Sequence, residues 1–322
     1  MYCITGYFRA QRFRENVMRS TILYTMTVLI WGSTWLAIEF QLGDVAPEVS
    51  LVYRFAIAGA LMWTYCLYKG LPMSFQKRDH SFFLVLAVCN FGLNYFILYC
   101  AQAYLSSAMA SIAFSTLLLM NIVNSRLFFG KAVAKRIYFG ALLGIAGLVT
   151  LFWRDIRDFD FASDAIIGLS LALIGTLIAS FGNMASVRNS TRNIGVLQGN
   201  AWGMLYGTGV LLAVVLITGA EFTFSMTMAY VVSLVYLAVF GTVIAFACYF
   251  MLLKDIGPEK ASYSIVLFPV VAVTLSTLYE GFQWHANTFW GFVFVLTGNA
   301  IVLTPVHKIR ALLSGKRNHP AI

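Results

Sequence analysis

Residues 21–38 read TILYTMTVLIWGSTWLAI, an uncharged and mostly apolar stretch that lies between Arg19 and Glu39. As an α-helix, a stretch of this length rises about 27 Å, close to the thickness of the hydrocarbon core of a bilayer. Similar stretches recur along the 322 residues, of which 60% are hydrophobic and only 11% are charged. Because a soluble domain carries about 25% charged residues and covers its surface with polar groups, this composition predicts an all-α integral membrane protein.

The apolar runs and the polar breaks between them predict ten transmembrane helices. The first five cover about Thr21–Ile38, Val49–Tyr68, Phe82–Tyr104, Ala108–Phe128 and Ile137–Trp153. The second five cover about Ile166–Val187, Val196–Ile217, Met228–Leu253, Ala261–Tyr279 and Phe289–Val306. Ten helices of this kind need roughly 200 residues, so we expect nearly all of the chain to lie in the membrane.

The positions of lysine and arginine predict the orientation of these helices. Of the 22 such residues, Arg154 and Arg157 fall in outer loops and Arg54 falls inside the second helix, which leaves 19 on the side of the N-terminus. Cytoplasmic loops carry the excess of basic residues in membrane proteins, so both termini are predicted to be cytoplasmic. Residues 1–19 are then a basic N-terminal segment and residues 307–322 a basic tail, and the net charge of +9 does not indicate nucleic-acid binding.

The two halves of the chain resemble each other. A shift of 151 residues carries Ala110-Ser111 onto Ala261-Ser262, Gly140 onto Gly291 and Gly147 onto Gly298. Residues 20–155 and 163–306 therefore form two predicted repeats of five helices, and an odd number of helices places the second repeat upside down in the bilayer. Inverted repeats around a central cavity are typical of secondary transporters that work by alternating access.

Several short motifs resemble the EamA-type members of the drug/metabolite transporter superfamily over roughly residues 20–305. The motifs are Trp31-Gly32-Ser33-Thr34-Trp35, Pro47 with Arg54, Ser107-Ala108, Gly257-Pro258-Glu259-Lys260-Ala261-Ser262, and the glycines at 140, 144, 147, 291 and 298. The resemblance implies a ten-helix carrier of small metabolites or drugs in the bacterial inner membrane, usually an exporter.

Polar and aromatic side chains inside the spans are candidates for a substrate pocket, because polar groups in hydrocarbon are costly. The candidates are Trp31, Ser33, Asn90, Asn94, Tyr99, Asn121, Asn183, Tyr249 and Tyr263. Asn90 and Asn94 are four residues apart and share one face of a helix. The alternative interpretation of each amide is a hydrogen bond between helices that serves packing alone.

Three further residues are candidates for a structural or gating role. Arg54 is the one basic residue deep inside a predicted span, since Arg126 lies at the cytoplasmic end of the fourth. Glu39 near the outer end of the first helix lies at a depth that allows an ion pair with Arg54. Binding of a substrate carboxylate by Arg54 and extension of its side chain towards the interface are the alternatives. Pro269 interrupts the hydrogen bonds of the ninth helix and is expected to kink it.

A row of glycines follows the seventh helix at intervals of four residues: Gly195, Gly199, Gly203 and Gly207. Such a row lets another helix approach closely. The approaching helix belongs either to the same bundle or to a second copy in a homodimer.

The residue types make other function classes less favourable than a carrier. The four histidines fall in predicted loops or tails, and no set of histidine, cysteine or carboxylate residues has the spacing of a metal site or of a catalytic pair, so we expect no cofactor and no enzymatic activity. A channel needs a ring of charged or carbonyl groups along a pore, and nothing in the sequence indicates such a ring. We therefore expect an exporter of small amphipathic metabolites such as amino acids, with efflux of drugs or toxic compounds as the alternative.

The distribution of basic residues generates a topology prediction. A reporter fused after Phe159 should be exposed to the periplasm, and one fused after Thr191 should be exposed to the cytoplasm. Alkaline phosphatase and green fluorescent protein fusions measure the two sides independently. The opposite pattern would contradict both the orientation and the inverted repeats.

Overall fold

The computed structural model describes residues 2–130, 132, 134–153, 163–256 and 263–303, without the side chains of residues 2–17, 250, 253, 254 and 263. Within these ranges every regular element is a helix and no residue lies in a strand. The elements are α1 (Tyr2–Glu39), α2 (Pro47–Tyr68), α3 (Lys77–Gln102), α4 (Ser107–Phe129), α5 (Lys135–Leu151), α6 (Asp164–Thr191), α7 (Val196–Thr218), α8 (Met228–Val235, Tyr236–Ile244 and Ala245–Ile256), α9 (Tyr263–Tyr279) and α10 (Ala286–Leu303).

Eight helices of the described part are long and apolar enough to cross a membrane. The two others, α5 and α9, have 17 residues each. The fold is thus an all-helical membrane protein. The main difference from the expected boundaries is at the N-terminus, where the backbone of α1 is already helical from Tyr2 rather than from Thr21.

The helix ends follow local chemistry that the sequence contains. The hydroxyl of Ser106 accepts a hydrogen bond from the backbone N–H of Met109 at 3.4 Å, which begins α4 only four residues after α3 ends. Pro47 opens α2, where a missing N–H costs nothing. Gly130 and Gly219 end α4 and α7 with φ angles of 66° and 71°, a conformation that favours glycine.

Helices of the first half pack antiparallel against helices of the second half. In α1 and α8, Arg19 forms an ion pair with Asp255 at 3.4 Å, and at the opposite ends the amide of Gln41 donates to the carbonyl of Tyr230 at 3.0 Å. The same reversal is seen for α2 with α7 and α3 with α6, where the contacts are Glu48–Thr218, Trp63–Ala201, Asp79–Arg188 and Leu105–Gly168. The core of the bundle therefore lies between the two halves of the chain.

Four glycines form the contact between α5 and α10. A Cβ atom on Gly140 would lie 2.6 Å from the carbonyl oxygen of Gly298, and one on Gly147 would lie 2.8 Å from that of Gly291. The two backbones thus touch directly, which only glycine permits. The 151-residue shift carries Gly140 onto Gly291 and Gly147 onto Gly298, so it exchanges one contact for the other.

Two π-helical stretches interrupt corresponding helices of the two halves. One is Ala87–Gly92 in α3, and the other is Tyr236–Ile244 in α8. The 151-residue shift carries residues 87–92 onto 238–243, which lie inside the second stretch. A π-helical turn contains an extra residue and is common at functional sites, so both stretches direct attention to the middle of α3 and α8.

The glycine contact predicts a difference between two neighbouring substitutions in α5. Gly147→Ala should lower stability by about 1–3 kcal/mol, because its methyl group meets the backbone of α10. Gly144→Ala is the matched control, since its nearest neighbour would be Leu119 Cδ1 at 3.6 Å. Thermal unfolding in detergent measures both variants, and equal melting temperatures would contradict the contact.

Candidate functional site

Trp31 lies among three aromatic rings from α8 and α9. Its ring centroid is 5.2 Å from those of Phe246 and Tyr249 and 5.4 Å from that of Phe268. The indole N–H donates to the carbonyl of Gly241 at 3.1 Å, within the π-helical stretch of α8. Trp31, Phe246, Tyr249 and Phe268 are called the aromatic cluster below. The structure thus brings together two of the predicted site residues, Trp31 and Tyr249, and adds two phenylalanines.

The residue after Trp31 explains how α9 reaches this cluster. A Cβ atom on Gly32 would lie 2.5 Å from the Cβ of Val271 and 3.1 Å from the carbonyl oxygen of Phe268, so glycine is needed for α1 and α9 to approach. Pro269 follows Phe268 inside α9 and supplies no backbone N–H. The break in backbone hydrogen bonding therefore lies beside the aromatic cluster.

Ser33 lies on a different face of α1 from Trp31. Two residues along a helix are rotated by about 200°, and the Ser33 hydroxyl accordingly contacts the hydroxyl of Tyr236 at 2.6 Å. Together with Phe40, Met228 and apolar neighbours, this pair lines a cleft of about 360 Å³ between α1 and α8. Ser33 is therefore separate from the aromatic cluster.

The amides of α3, α4 and α6 form a continuous hydrogen-bonded network, called the amide network below. Asn90 donates to Asn183 at 3.1 Å, and Asn183 donates to Asn121 at 3.2 Å. Ser180 also donates to Asn121, at 2.9 Å, and accepts from Asn124 at 2.8 Å. Three predicted site residues thus meet through their side chains, and Ser180 is a member that the sequence analysis did not identify.

The aromatic cluster and the amide network occupy corresponding places in the two halves. The 151-residue shift carries Trp31 onto Gly182 and Asn90 onto Gly241. Trp31 contacts Gly241, and Gly182 likewise lies against Asn90, whose Oδ1 is 2.5 Å from where a Cβ on Gly182 would be. The contact of Trp31 with Gly241 thus corresponds to the contact of Gly182 with Asn90, although the aromatic cluster and the amide network each contain residues of both halves.

Asn94, Tyr99 and Tyr263 complete the predicted set. Asn94 is buried, and its Oδ1 has no hydrogen-bond partner among the described residues. Tyr99 is fully buried and accepts a hydrogen bond from Arg54. The side chain of Tyr263 lies outside the part of the chain that the structure describes.

Arg54 is only 2% exposed and has neutral partners. Its Nη1 donates to the Tyr99 hydroxyl at 3.3 Å and its Nη2 to Thr242 Oγ1 at 3.4 Å, while Nε has no partner among the residues described. The guanidinium lies 4.7 Å from the centre of the Tyr95 ring, a cation–π contact. Within the described residues Arg54 forms no ion pair with Glu39.

Glu280 joins α9 to the beginning of α4. Its Oε2 accepts from the backbone N–H of Ser107 at 3.2 Å and from the hydroxyl of Ser276. The carboxylate thereby satisfies one of the free N–H groups at a helix N-terminus. Glu280 Oε1 and Glu39 Oε2 are buried without a hydrogen-bond partner in the described part.

The glycines of α7 contact α3 within the same chain. Cβ atoms on Gly203 and Gly207 would each lie 2.7 Å from the Phe91 side chain, in the π-helical stretch of α3. Gly199 has no atom within 4 Å of its Cβ position, and Gly195 is the N-cap of α7. Half of the glycine row therefore accommodates a phenylalanine of the bundle.

Comparison with known proteins identifies the same family twice along the chain. The model of the EamA-like transporter family matches residues 19–153 and again residues 166–304. The uncharacterized inner membrane transporter YedA of Escherichia coli K12 is 29% identical over 83% of this chain and 84% of its own. The uncharacterized transporter YoaV of Bacillus subtilis 168 is 24% identical over 84% of this chain and 91% of its own.

A solved crystal structure of another protein superposes on this chain with a TM-score of 0.66 at 19% sequence identity. The match covers 91% of this chain and 98% of the other protein's chain. That likeness concerns the fold alone.

Two asparagines generate a paired prediction. Asn121→Leu should destabilise the fold by about 1–2 kcal/mol, because Ser180 and Asn183 lose their shared acceptor. Asn94→Leu should leave the folded yield largely intact, because Asn94 Oδ1 has no partner to lose, and should weaken transport instead. Melting temperature and uptake into proteoliposomes measure the two effects. Equal destabilisation with unchanged transport would contradict a binding role for Asn94.

Proposed function

The chain belongs to the EamA-like transporter family, and from this premise we propose that it exports small amphipathic metabolites, such as amino acids, by alternating access. Membership makes it a membrane transporter. Substrate class and direction are the further steps of the proposal, and they are argued from the aromatic cluster, the amide network and the pairing of helices between the two halves.

The observation that carries the proposal is the aromatic cluster around Trp31. Its rings come from α1, α8 and α9, and Trp31 bonds to a carbonyl in a π-helical stretch. Aromatic faces hold an apolar group without needing charge, and ligand sites are commonly lined in this way with a few polar groups for orientation. Trp31 and Phe246 are half-buried, so their faces are not fully enclosed by the protein.

The antiparallel pairs support an arrangement of ten spans in two inverted repeats. The α5–α10 glycine contacts exchange under the 151-residue shift, and the family model matches one stretch in each half. Helices α5 and α9, with 17 residues each, rise about 26 Å, which lies at the lower limit for a span. With the basic segments inside, both termini face the cytoplasm. The naming of YedA as an inner membrane transporter supports the same location for this chain.

Contacts at the two ends of the bundle are candidates for the gates of alternating access. Asp79 and Arg188 pair at 2.8 Å between α3 and α6, at the cytoplasmic end in the proposed orientation, and both are mostly buried. Glu280 bonds to Ser107 between α9 and α4 at the outer end. Opening one contact while the other holds would expose the centre to one side at a time.

Efflux of apolar drugs is a second candidate function, favoured by the apolar cleft beside Ser33. That cleft lies between α1 and α8 and has an almost wholly apolar lining. The two candidates differ in the compounds carried. Amino acids require groups that recognise their charges, whereas lipophilic drugs require apolar surface alone.

Saturable counterflow in proteoliposomes tests the proposal. Preloaded L-leucine, L-methionine or L-phenylalanine should drive uptake of the labelled compound, and Trp31→Ala should lower this counterflow about tenfold because three ring contacts are lost. Trp290→Ala is the matched control, since that ring on α10 is 53% exposed and lies outside the cluster.

The outcomes separate the candidates. Counterflow that is unaffected by Trp31→Ala would contradict the position of the site. Counterflow of lipophilic drugs in the absence of any amino acid counterflow would favour drug efflux.

A further inference from the structure

Arg54 is a buried cation without a counter-charge. It is 2% exposed, and among the described residues no carboxylate lies within ion-pair distance of it. Its hydrogen bonds to Tyr99 and Thr242 are long, at 3.3 and 3.4 Å. A charge inside a membrane bundle costs several kcal/mol unless it is paired, which makes an unpaired guanidinium an unfavourable way to join neutral helices.

The guanidinium has donors to spare. It carries five N–H groups in a planar fork, and two hydrogen bonds are formed by Nη1 and Nη2. Nε is buried and has no partner in the part of the chain that the structure describes. An edge of the fork that includes Nε has the geometry to bind a carboxylate through two parallel hydrogen bonds.

Arg54 and Trp31 meet at the same turn of α8. Arg54 donates to the side chain of Thr242, and Trp31 donates to the carbonyl of the preceding residue, Gly241. The hydroxyl of Thr242 in turn donates to the carbonyl of Leu237, five residues earlier, within the π-helical stretch. The widened turn therefore positions the cation and the indole relative to each other.

A run of aromatic rings connects the cation to the aromatic cluster. The guanidinium lies over Tyr95, and ring contacts then lead through Phe55 and Phe91 to Phe246. The centroid distances are 5.0 Å for Tyr95–Phe55, 5.7 Å for Phe55–Phe91 and 6.4 Å for Phe91–Phe246. Arg54 and Trp31 are thus joined by a row of aromatic contacts in which Phe55 and Phe91 are fully buried, with the positive charge at one end.

We propose that Arg54 binds the carboxylate of the transported compound and that the apolar part of the compound lies against the aromatic cluster. The substrates are then small amphipathic carboxylic acids, among them amino acids with apolar side chains. This inference rests on the proposed transport function. Because Arg54 is enclosed by α2, α3 and α8 in this arrangement, the substrate reaches it when these helices part during the transport cycle.

Comparison of acids with their amides tests the charge requirement in the unaltered protein. L-leucine, L-methionine and L-phenylalanine are compared with L-leucinamide, L-methioninamide and L-phenylalaninamide as competitors of counterflow. The acid should compete at least about tenfold more strongly than its amide, since a hydrogen bond to a charged group contributes about 1.5–3 kcal/mol. Equal competition by the acid and its amide in the unaltered protein would overturn the proposal.

Substitution of Arg54 separates a binding role from a packing role. Arg54→Gln should raise the KM for the acid about 10- to 150-fold and change that for the amide less than about twofold, so that selection between them disappears. Arg54→Lys should keep part of the selection, because it keeps the charge. Arg126→Gln is the matched control. The side chain of Arg126 is exposed and, among the described residues, donates only to the carbonyl of Gly130 at the end of α4.

The remaining outcomes distinguish this inference from the proposed function. An equal loss of acid and amide transport in Arg54→Gln would assign Arg54 to packing and leave the proposed transport of amino acids standing. Selection that persists in Arg54→Gln would place the carboxylate elsewhere. If the unaltered protein shows no saturable counterflow of any acid, the proposed function and the role of Arg54 are both overturned.

Discussion

The hydrocarbon core of a bilayer offers no hydrogen bonds, and this constraint governs the middle of the molecule. Each interior polar group must therefore find its partner on another helix or in its own backbone. The indole of Trp31 does so at the carbonyl of Gly241, and Thr242 does so at the carbonyl of Leu237. Asn90 and its neighbours satisfy one another across α3, α4 and α6. Arg54 and Asn94 depart from this pattern, because Arg54 Nε and Asn94 Oδ1 are buried without a hydrogen-bond partner among the described residues.

Much of the fold and part of the site could be predicted from the sequence. The positions of the apolar runs, the separation of α3 from α4 by Ser106 and the proximity of Asn90, Asn121 and Asn183 all follow from hydropathy, capping and the cost of buried amides. Depth along a helix is readable in this way. The sequence does not show which side chains meet between helices, so depth alone allows a Glu39–Arg54 ion pair that the described residues do not form. The π-helical stretches are also invisible to periodicity, since they change the hydrogen-bond partner rather than the residue types.

The correspondence between the halves relates two residues that the sequence analysis did not identify. The 151-residue shift carries Tyr95, which lies under Arg54, onto Phe246, which lies beside Trp31. Tyr95 lies three residues after the end of the first π-helical stretch, and Phe246 lies two residues after the end of the second. The search for polar groups overlooked Phe246 and Phe268 because an apolar residue in an apolar helix gives no signal of its own. Phe246 and Phe268 belong to the site because their rings contact Trp31, and such contacts depend on how the helices pack.

The glycine contacts between α5 and α10 also limit which residues the two halves can carry at these positions. Any side chain gained at Gly140 collides with the backbone at Gly298, and the equivalent gain at Gly147 collides with Gly291. A larger residue at Gly140 or Gly147 therefore requires the backbone of α10 to move. Trp31 and Gly182 are also corresponding positions, yet one carries the largest side chain and the other carries none. Corresponding positions thus both carry glycine where the backbones of α5 and α10 touch, whereas corresponding positions around the centre carry different residues.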